Sequence, residues 1–343
     1  MSEGASKSKA AVWRARWAQH WFVALLPVAF ALAWWVPELA SKGGWLRPEL
    51  STRFGVALIF VVQGLLLPVA ALRAGLSQWR LHVVVQGITF MGFPLLGLLL
   101  ASTVGRVLPE ELRIGLVYLC VLPSTVSSAS VLTAAAGGNT AGAICNAVLS
   151  SLLGIVLTPA LLAVALGLQG VTLNGAGGGV DAGRIMLELV KLILLPLALG
   201  QLLQIGLGAW AAKNKKRLGT LSTAVILFIV FAAFCDAAKA QVWTRHGVGF
   251  PLAALGVAAG LFVLATGLLR AVVRGVGLNA GDAVAAEFCA VQKTLASGVP
   301  LAGVIFAGDP RVGLYLLPLL IYHPLQLTLH GAMAARRAKS GAA

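Results

Sequence analysis

The sequence predicts an all-α polytopic membrane protein of ten transmembrane helices in two inverted five-helix repeats. Three observations carry that expectation. The 343 residues are 59% apolar and 11% charged, with a mean hydropathy of +0.92, whereas a soluble domain carries about 25% charged residues. Long stretches contain no Asp, Glu, Lys or Arg, and about 20 such residues suffice to cross a hydrocarbon core about 30 Å thick. A glycine-rich segment near the midpoint divides the spans five and five.

Uncharged stretches place spans 1 to 3 at Trp17–Pro37, Phe54–Leu72 and Leu81–Gly105. The run Ile114–Val180 is too long for one helix. It breaks at Gly137-Gly138-Asn139 and again after Leu168, giving spans 4 and 5. Spans 6, 7 and 8 follow at Leu192–Ala212, Leu218–Cys235 and His246–Leu269. Span 9, Ala283–Ala307, carries Glu287 and Lys293, and span 10 is Val312–Ala335. The runs are too long, and lack the alternation, for an outer-membrane barrel. The first is too rich in tryptophan for a removable signal peptide. Trp13, Trp17, Trp45, Trp79, Trp210 and Trp243 fall near span ends, as an interfacial belt requires.

The net charge of +15 reads as a topology signal and not as a nucleic-acid footprint. With the N-terminus inside, Lys7, Lys9, Arg14, Arg16, Arg73, Arg80, Lys213–Arg217, Arg270, Arg274 and Arg336–Lys339 all fall on the inner face. Contact with anionic lipid headgroups is compatible with this excess. The expected organisation is a cytoplasmic tail over 1–18, repeat 1 over 19–166, a linker over 167–183, repeat 2 over 184–335 and a cytoplasmic tail over 336–343. Leu25-Leu26-Pro27 recurs as Leu194-Leu195-Pro196, and Gly138-Asn139 recurs as Gly308-Asp309, at nearly one offset. An odd number of spans per repeat inverts the second copy.

The fourth span of each half is polar and interrupted. Span 4 holds Pro123, Ser124, Thr125, Ser127, Ser128 and Ser130; span 9 holds Glu287, Gln292, Lys293, Thr294, Ser297 and Pro300. Proline removes a backbone donor, and irregular backbone at membrane depth is tolerated only inside protein or along a cavity. Paired interrupted segments point to a transporter's binding site. Thr125, Ser127, Ser128, Ser130 and Asn146 offer neutral oxygens for sodium, a hard cation, and Glu287 offers the charge. Gln292 and Thr89 are grouped with them. A small organic anion is expected beside Pro123, Thr125, Asn139, Lys293, Thr294 and Pro300, where half-helix N-termini favour negative charge. Lys293 cannot ligate sodium; its ammonium occupying a cation site leaves sodium, proton or no coupling as alternatives. Asn139 and Asp309 are also placed to cap the helices that follow them. Arg184, Glu188 and Lys191 have the spacing of a snorkelling ladder, and His323 and His330 share a face suited to core packing. The cysteines are isolated, and no nucleophile–base or metal-ligand spacing argues for an enzyme.

These residues resemble the bile acid:sodium symporter family, in particular its SBF-like bacterial branch, which includes the seventh human member of that solute-carrier family. The resemblance rests on Pro123–Asn139, Asn146, Leu153–Pro159, Phe234-Cys235-Asp236, Phe288-Cys289, Lys293–Pro300 and Leu317–Gln326. It implies a panel of spans 1, 2, 6 and 7 and a core of spans 3–5 and 8–10, with broken spans 4 and 9 crossing. It puts Ser128, Ala129 or Ser130 together with Asn146 at a sodium site, Glu287 at the shared acidic ligand, and Thr89 at a span-3 glutamine position. Where the symporters carry Gln-Asn-Ser, this chain has Val291-Gln292-Lys293, so that Lys293 stands in for a cation. The implied activity is sodium-coupled uptake of an organic anion by alternating access across the bacterial inner membrane. The alternative is a non-coupled membrane regulator of calcium homeostasis with the same fold.

Overall fold

The computed structural model describes residues 21–22, 24–67, 77–168, 190–242, 247 and 249–340, all helix and connecting loop with no strand among them. In chain order the helices are α1 (Ala24–Trp35), α2 (Pro48–Leu66), α3 (Trp79–Thr103), α4 (Glu110–Val121), α5 (Val126–Ala135) and α6 (Thr140–Leu168). They continue as α7 (Lys191–Lys213), α8 (Lys215–Lys239), α9 (Gly249–Val276), α10 (Ala280–Ala290), α11 (Leu295–Ile305) and α12 (Val312–Ser340). Among the described residues, eight helical stretches are long and apolar enough to cross a membrane, with α10 and α11 taken as one. A ninth is made by α4 and α5, which meet at a bend of 62°. The shorter α1 is apolar as well. The expected N-terminal tail, most of the linker, Arg184 and Glu188 lie outside the described residues. Helix α12 continues past Ala335 to Ser340, so the segment after span 10 begins as helix.

Local chemistry sets the ends of these helices. Pro48 opens α2, where its missing N–H costs no helical bond, and Glu49 follows in the first turn. The Asn139 side-chain oxygen accepts the Gly142 N–H at 2.9 Å at the start of α6. Asn279 does the same for Asp282 at 2.8 Å before α10. Asp309 accepts the Arg311 N–H at 2.8 Å just ahead of α12. Helix α5 is followed by Gly137 at φ +69° and α11 by Gly308 at φ +87°. Both glycines adopt a left-handed conformation that a side chain would strain.

Among the described residues, helices α2 and α7 form the most extensive helix pairing. A Cβ on Gly200 would lie 2.2 Å from the Val61 carbonyl oxygen, and one on Gly64 would lie 2.2 Å from that of Leu197. Two bare glycines therefore let the backbones touch, as small residues do between membrane helices. Gln201 donates to the Gly64 carbonyl, and Gln204 donates to those of Leu65 (3.1 Å) and Leu67 (2.9 Å). These bonds cap carbonyls at the end of α2, where intrahelical donors run out; the Gly64 carbonyl also accepts the Leu67 N–H at 3.3 Å. The other side of α7 is apolar and bare, with Leu202 and Ile205 strongly exposed, as a lipid-facing surface is. Helix α4 is the opposite case: every residue from Ile114 to Val121 is buried. It packs against α3, α6 and α12.

Gly200→Val should force α2 and α7 apart. Overpacking of this kind costs about 1–3 kcal/mol, so the thermal unfolding midpoint in detergent is expected to fall. Gly206→Val is the control, because nothing lies near that position. Equal midpoints for the two variants would contradict the pairing.

Candidate site at the two broken helices

The two interruptions meet. Helix α4 ends at Val121 and α5 begins at Val126; Leu122, which precedes Pro123, is extended, as the residue before proline prefers to be. Helix α10 ends at Ala290 and α11 begins at Leu295, with Thr294 extended. The Thr294 N–H donates to the Pro123 carbonyl at 3.0 Å, joining one break to the other.

Every break exposes backbone groups that water cannot reach, and neighbouring side chains supply the partners. Thr158 donates to the Val121 carbonyl at 2.9 Å. Ser150 accepts the Ser124 N–H at 2.9 Å, and the Ser124 hydroxyl donates to the Cys289 carbonyl. Tyr322 donates to the Val291 carbonyl at 2.8 Å. Gln326 clasps Lys293, accepting its N–H at 2.7 Å and donating to its carbonyl at 2.8 Å. Ser124, Ser150, Thr158, Gln326 and Tyr322 are thus part of the fold's polar accounting.

Lys293 is fully buried and pairs with no carboxylate among the described residues. Its ammonium donates to the carbonyls of Leu122 at 2.7 Å, Thr89 at 3.1 Å and Cys120 at 3.1 Å. The ring centroid of Phe93 lies 4.0 Å away. Glu287, six residues earlier and 3% exposed, faces elsewhere. Arg270 of α9 reaches its Oε1 at 3.2 Å and Arg337 of α12 its Oε2 at 2.5 Å. The two intramembrane charges do not pair with each other. Each was legible as anomalous in the sequence, but its partner was not.

The expected sodium oxygens are divided among different bonds. Ser128 donates to Gln292 Oε1 at 2.6 Å, and the Gln292 amide meets His330 Nδ1 at 3.2 Å. Ser130 donates back to the Val126 carbonyl at 2.9 Å. Asn146 Oδ1 faces His82 at 3.1 Å and the Gln86 amide at 3.2 Å, while its own amide donates to Gly142 at 3.0 Å. Thr89 donates weakly to Ala290 at 3.4 Å. His330 is buried against Phe262 and Phe288, whereas His323 on the same helix is half-buried.

A cavity of about 300 Å³ lies beside the breaks, within the size range of small-molecule sites. One wall is α2, α7 and α8, through Phe60, Gln63, Leu197, Lys215 and Thr223. The other is the breaks and α6, through Pro123, Thr125, Ser127, Ser130 and Ser151, with Thr294, Ala296 and Ser297. The first turns of α5 and α11 both line it. Neither Thr125 nor Thr294 caps its own helix with its side chain. Of the residues expected around a substrate, Pro123, Thr125 and Thr294 line this space; Asn139, Lys293 and Pro300 do not. Asn139 is instead bonded to Gln78 at 2.9 Å and Asp282 at 2.6 Å. Gln63 escaped the sequence reading. It donates to the Ala296 carbonyl at 3.1 Å and accepts from Ser297 at 3.5 Å. Its signal was a lone amide in the uncharged stretch of span 2.

Glu287→Gln removes the charge that two guanidiniums share. A charge-assisted hydrogen bond contributes about 1.5–3 kcal/mol, and half-exposed arginines place the loss toward the lower figure. The unfolding midpoint should fall, and Arg337→Ala in the same chain should add less than it does alone. Full additivity would show that the two side chains do not interact.

Comparison with known proteins closes the question of kinship. Residues 20–339 match the model of the SBF-like CPA transporter family. The uncharacterized protein PA2026 of Pseudomonas aeruginosa is 39% identical over 295 residues, covering 85% of each chain. YfeH of Escherichia coli (strain K12) is 37% identical over 289 residues, covering 84% of each. Sodium/bile acid cotransporter 7 of Danio rerio is 33% identical over 325 residues, covering 92% of each. With the match running from α1 through α12, the chain belongs to the SBF-like CPA transporter family of membrane proteins.

Proposed function

We propose that the protein is a secondary transporter that takes up a small organic anion through the cavity beside the two breaks, by alternating access. The observation that carries this reading is the convergence of the α5 and α11 first turns on one cavity that also holds Gln63 and Lys215. Helix N-termini favour anions. The apolar residues Phe60, Leu197 and Ile226 suit the body of an organic molecule. The cavity lies between α2, α7 and α8 on one side and, on the other, α5, α6 and α11 of the larger group α3–α6 with α9–α12. In this reading the first group, with α1, is the panel and the second is the core that moves against it.

The proposed topology is ten spans in two inverted repeats, with α1 as the first, α4–α5 as the fourth and α10–α11 as the ninth. The left-handed glycines that close α5 and α11 support it. Both termini are then cytoplasmic and the membrane is the bacterial inner one. Sodium is the proposed coupling ion, by analogy with the relatives named as sodium/bile acid cotransporters. Its nearest candidate ligands are Thr125, Ser127 and Ser130, which line the cavity. Asn146 and Glu287 are left out because their oxygens already serve other groups. A second reading, a regulator of calcium homeostasis without coupled transport, is favoured by one observation: the acid expected to hold sodium is held by two arginines.

In proteoliposomes, a Ser297→Phe or Ile226→Trp side chain should fill the cavity and abolish uptake of organic anions such as taurocholate, without loss of folded protein. Gln63→Ala should weaken uptake about tenfold, as loss of one hydrogen bond of about 1.4 kcal/mol would. Uptake that survives cavity filling would refute the site. Stabilisation of the purified protein by calcium but by neither sodium nor anions would select the second reading.

A further inference from the structure

Other charged groupings among the described residues are the network of Glu38, Lys239, Lys42 and Asp236, the Glu110–Asp309–Arg311 cluster, and the Glu287 clasp. The first two are surface contacts between loops and helix ends, and the third is already described. The group that none of these roles absorbs is the Lys293 ammonium.

Its surroundings are oxygen-rich, and oxygen is the ligand type that hard cations take. Three carbonyl oxygens at 2.7–3.1 Å and one aromatic face surround the nitrogen. Each carbonyl is available for a local reason. Cys120 lies in the last turn of α4, and Leu122 just beyond it, where intrahelical donors run out. Those carbonyls form the negative end of the α4 dipole. Thr89 sits in a π-helical turn, Ile88–Gly92, placed ahead of Pro94, where the shifted bonding register changes which donors carbonyls meet. An ammonium has three protons and no acceptor, so three carbonyls satisfy it completely. Nothing is left over for a substrate. Phe93 contributes its negative face on a further side.

We propose that the carbonyls of Thr89, Cys120 and Leu122 form a monovalent cation site that the protein fills with its own lysine, in place of a sodium ion drawn from solution. The tethered cation keeps positive charge behind the cavity wall, one residue from Thr294, with no ion to load at that position. Any sodium the transporter couples therefore binds elsewhere. This inference does not rest on the identity of the transported anion, and its test needs no transport.

The full-length protein is purified in detergent, and its thermal midpoint is followed in NaCl titrations at constant chloride, with choline chloride as the balance. Lys293→Ala opens the cage. It should gain a saturable stabilisation of several degrees by sodium, beyond any response of the wild type and absent with choline. Lys293→Met fills the space without charge and should lower the midpoint in both salts. If Lys293→Ala is recovered folded only when prepared in NaCl, the proposal stands. Equal loss in both salts overturns it. So does a Lys293→Ala response to sodium no larger than the wild type's, or a Lys293→Met midpoint equal to the wild type's. Loss of anion uptake by the cavity-filling variants is scored separately, so failure of the transport reading would not be mistaken for failure of this one.

Discussion

The structure depends on one constraint: two helices are interrupted where no water can satisfy their freed backbone, so each interruption must be satisfied by protein. The direct bond from Thr294 to Pro123 does part of this. Lys293 does more, because its ammonium takes up carbonyls from both α3 and the end of α4. Gln326, Tyr322, Thr158 and Ser150 complete the shell from α12 and α6. An unsatisfied buried group costs several kcal/mol in hydrocarbon. The breaks are therefore tolerated only as long as α3, α4, α6 and α12 stay packed around them.

That packing positions the cavity. Because the breaks are held from the side of α3 and α12, the first turns of α5 and α11 are presented on the other side, toward α2, α7 and α8. The two glycines that let α2 and α7 touch make that facing wall a closely joined pair. Gln63 on α2 then reaches the first turn of α11 across the gap. Among the described residues, Gln63 bonds there, beside the cavity, to the Ala296 carbonyl and the Ser297 hydroxyl. The Glu287 clasp binds α9, α10 and α12 into the group that carries the breaks.

Much of this was legible from composition and pattern. Spans showed as uncharged runs because charge at membrane depth is costly, and Pro123 marked the first break because it cannot continue a helix. Asn139 was read as a cap, and the structure agrees. The candidate ion site was less legible. Ser128, Ser130, Asn146 and Glu287 are the residue types that bind sodium, yet the same oxygens suit Gln292, a helix backbone, His82 and arginine. Residue type states what a group can bond, not which partner reaches it first. Gln63 was passed over for the converse reason: one amide in an apolar stretch has no pattern until its neighbours are known.

The sequence by itself determined that this chain lives in a membrane, that its fourth and ninth predicted spans are exceptional, and that Glu287 and Lys293 require partners. These conclusions follow from transfer free energies and helix chemistry, which act residue by residue. Only the tertiary structure decided that the two charges ignore each other, one taking arginines from α9 and α12, the other three backbone carbonyls. Backbone carbonyls are common to every residue and leave no mark in a sequence, so a site built from them appears only when the chain is folded.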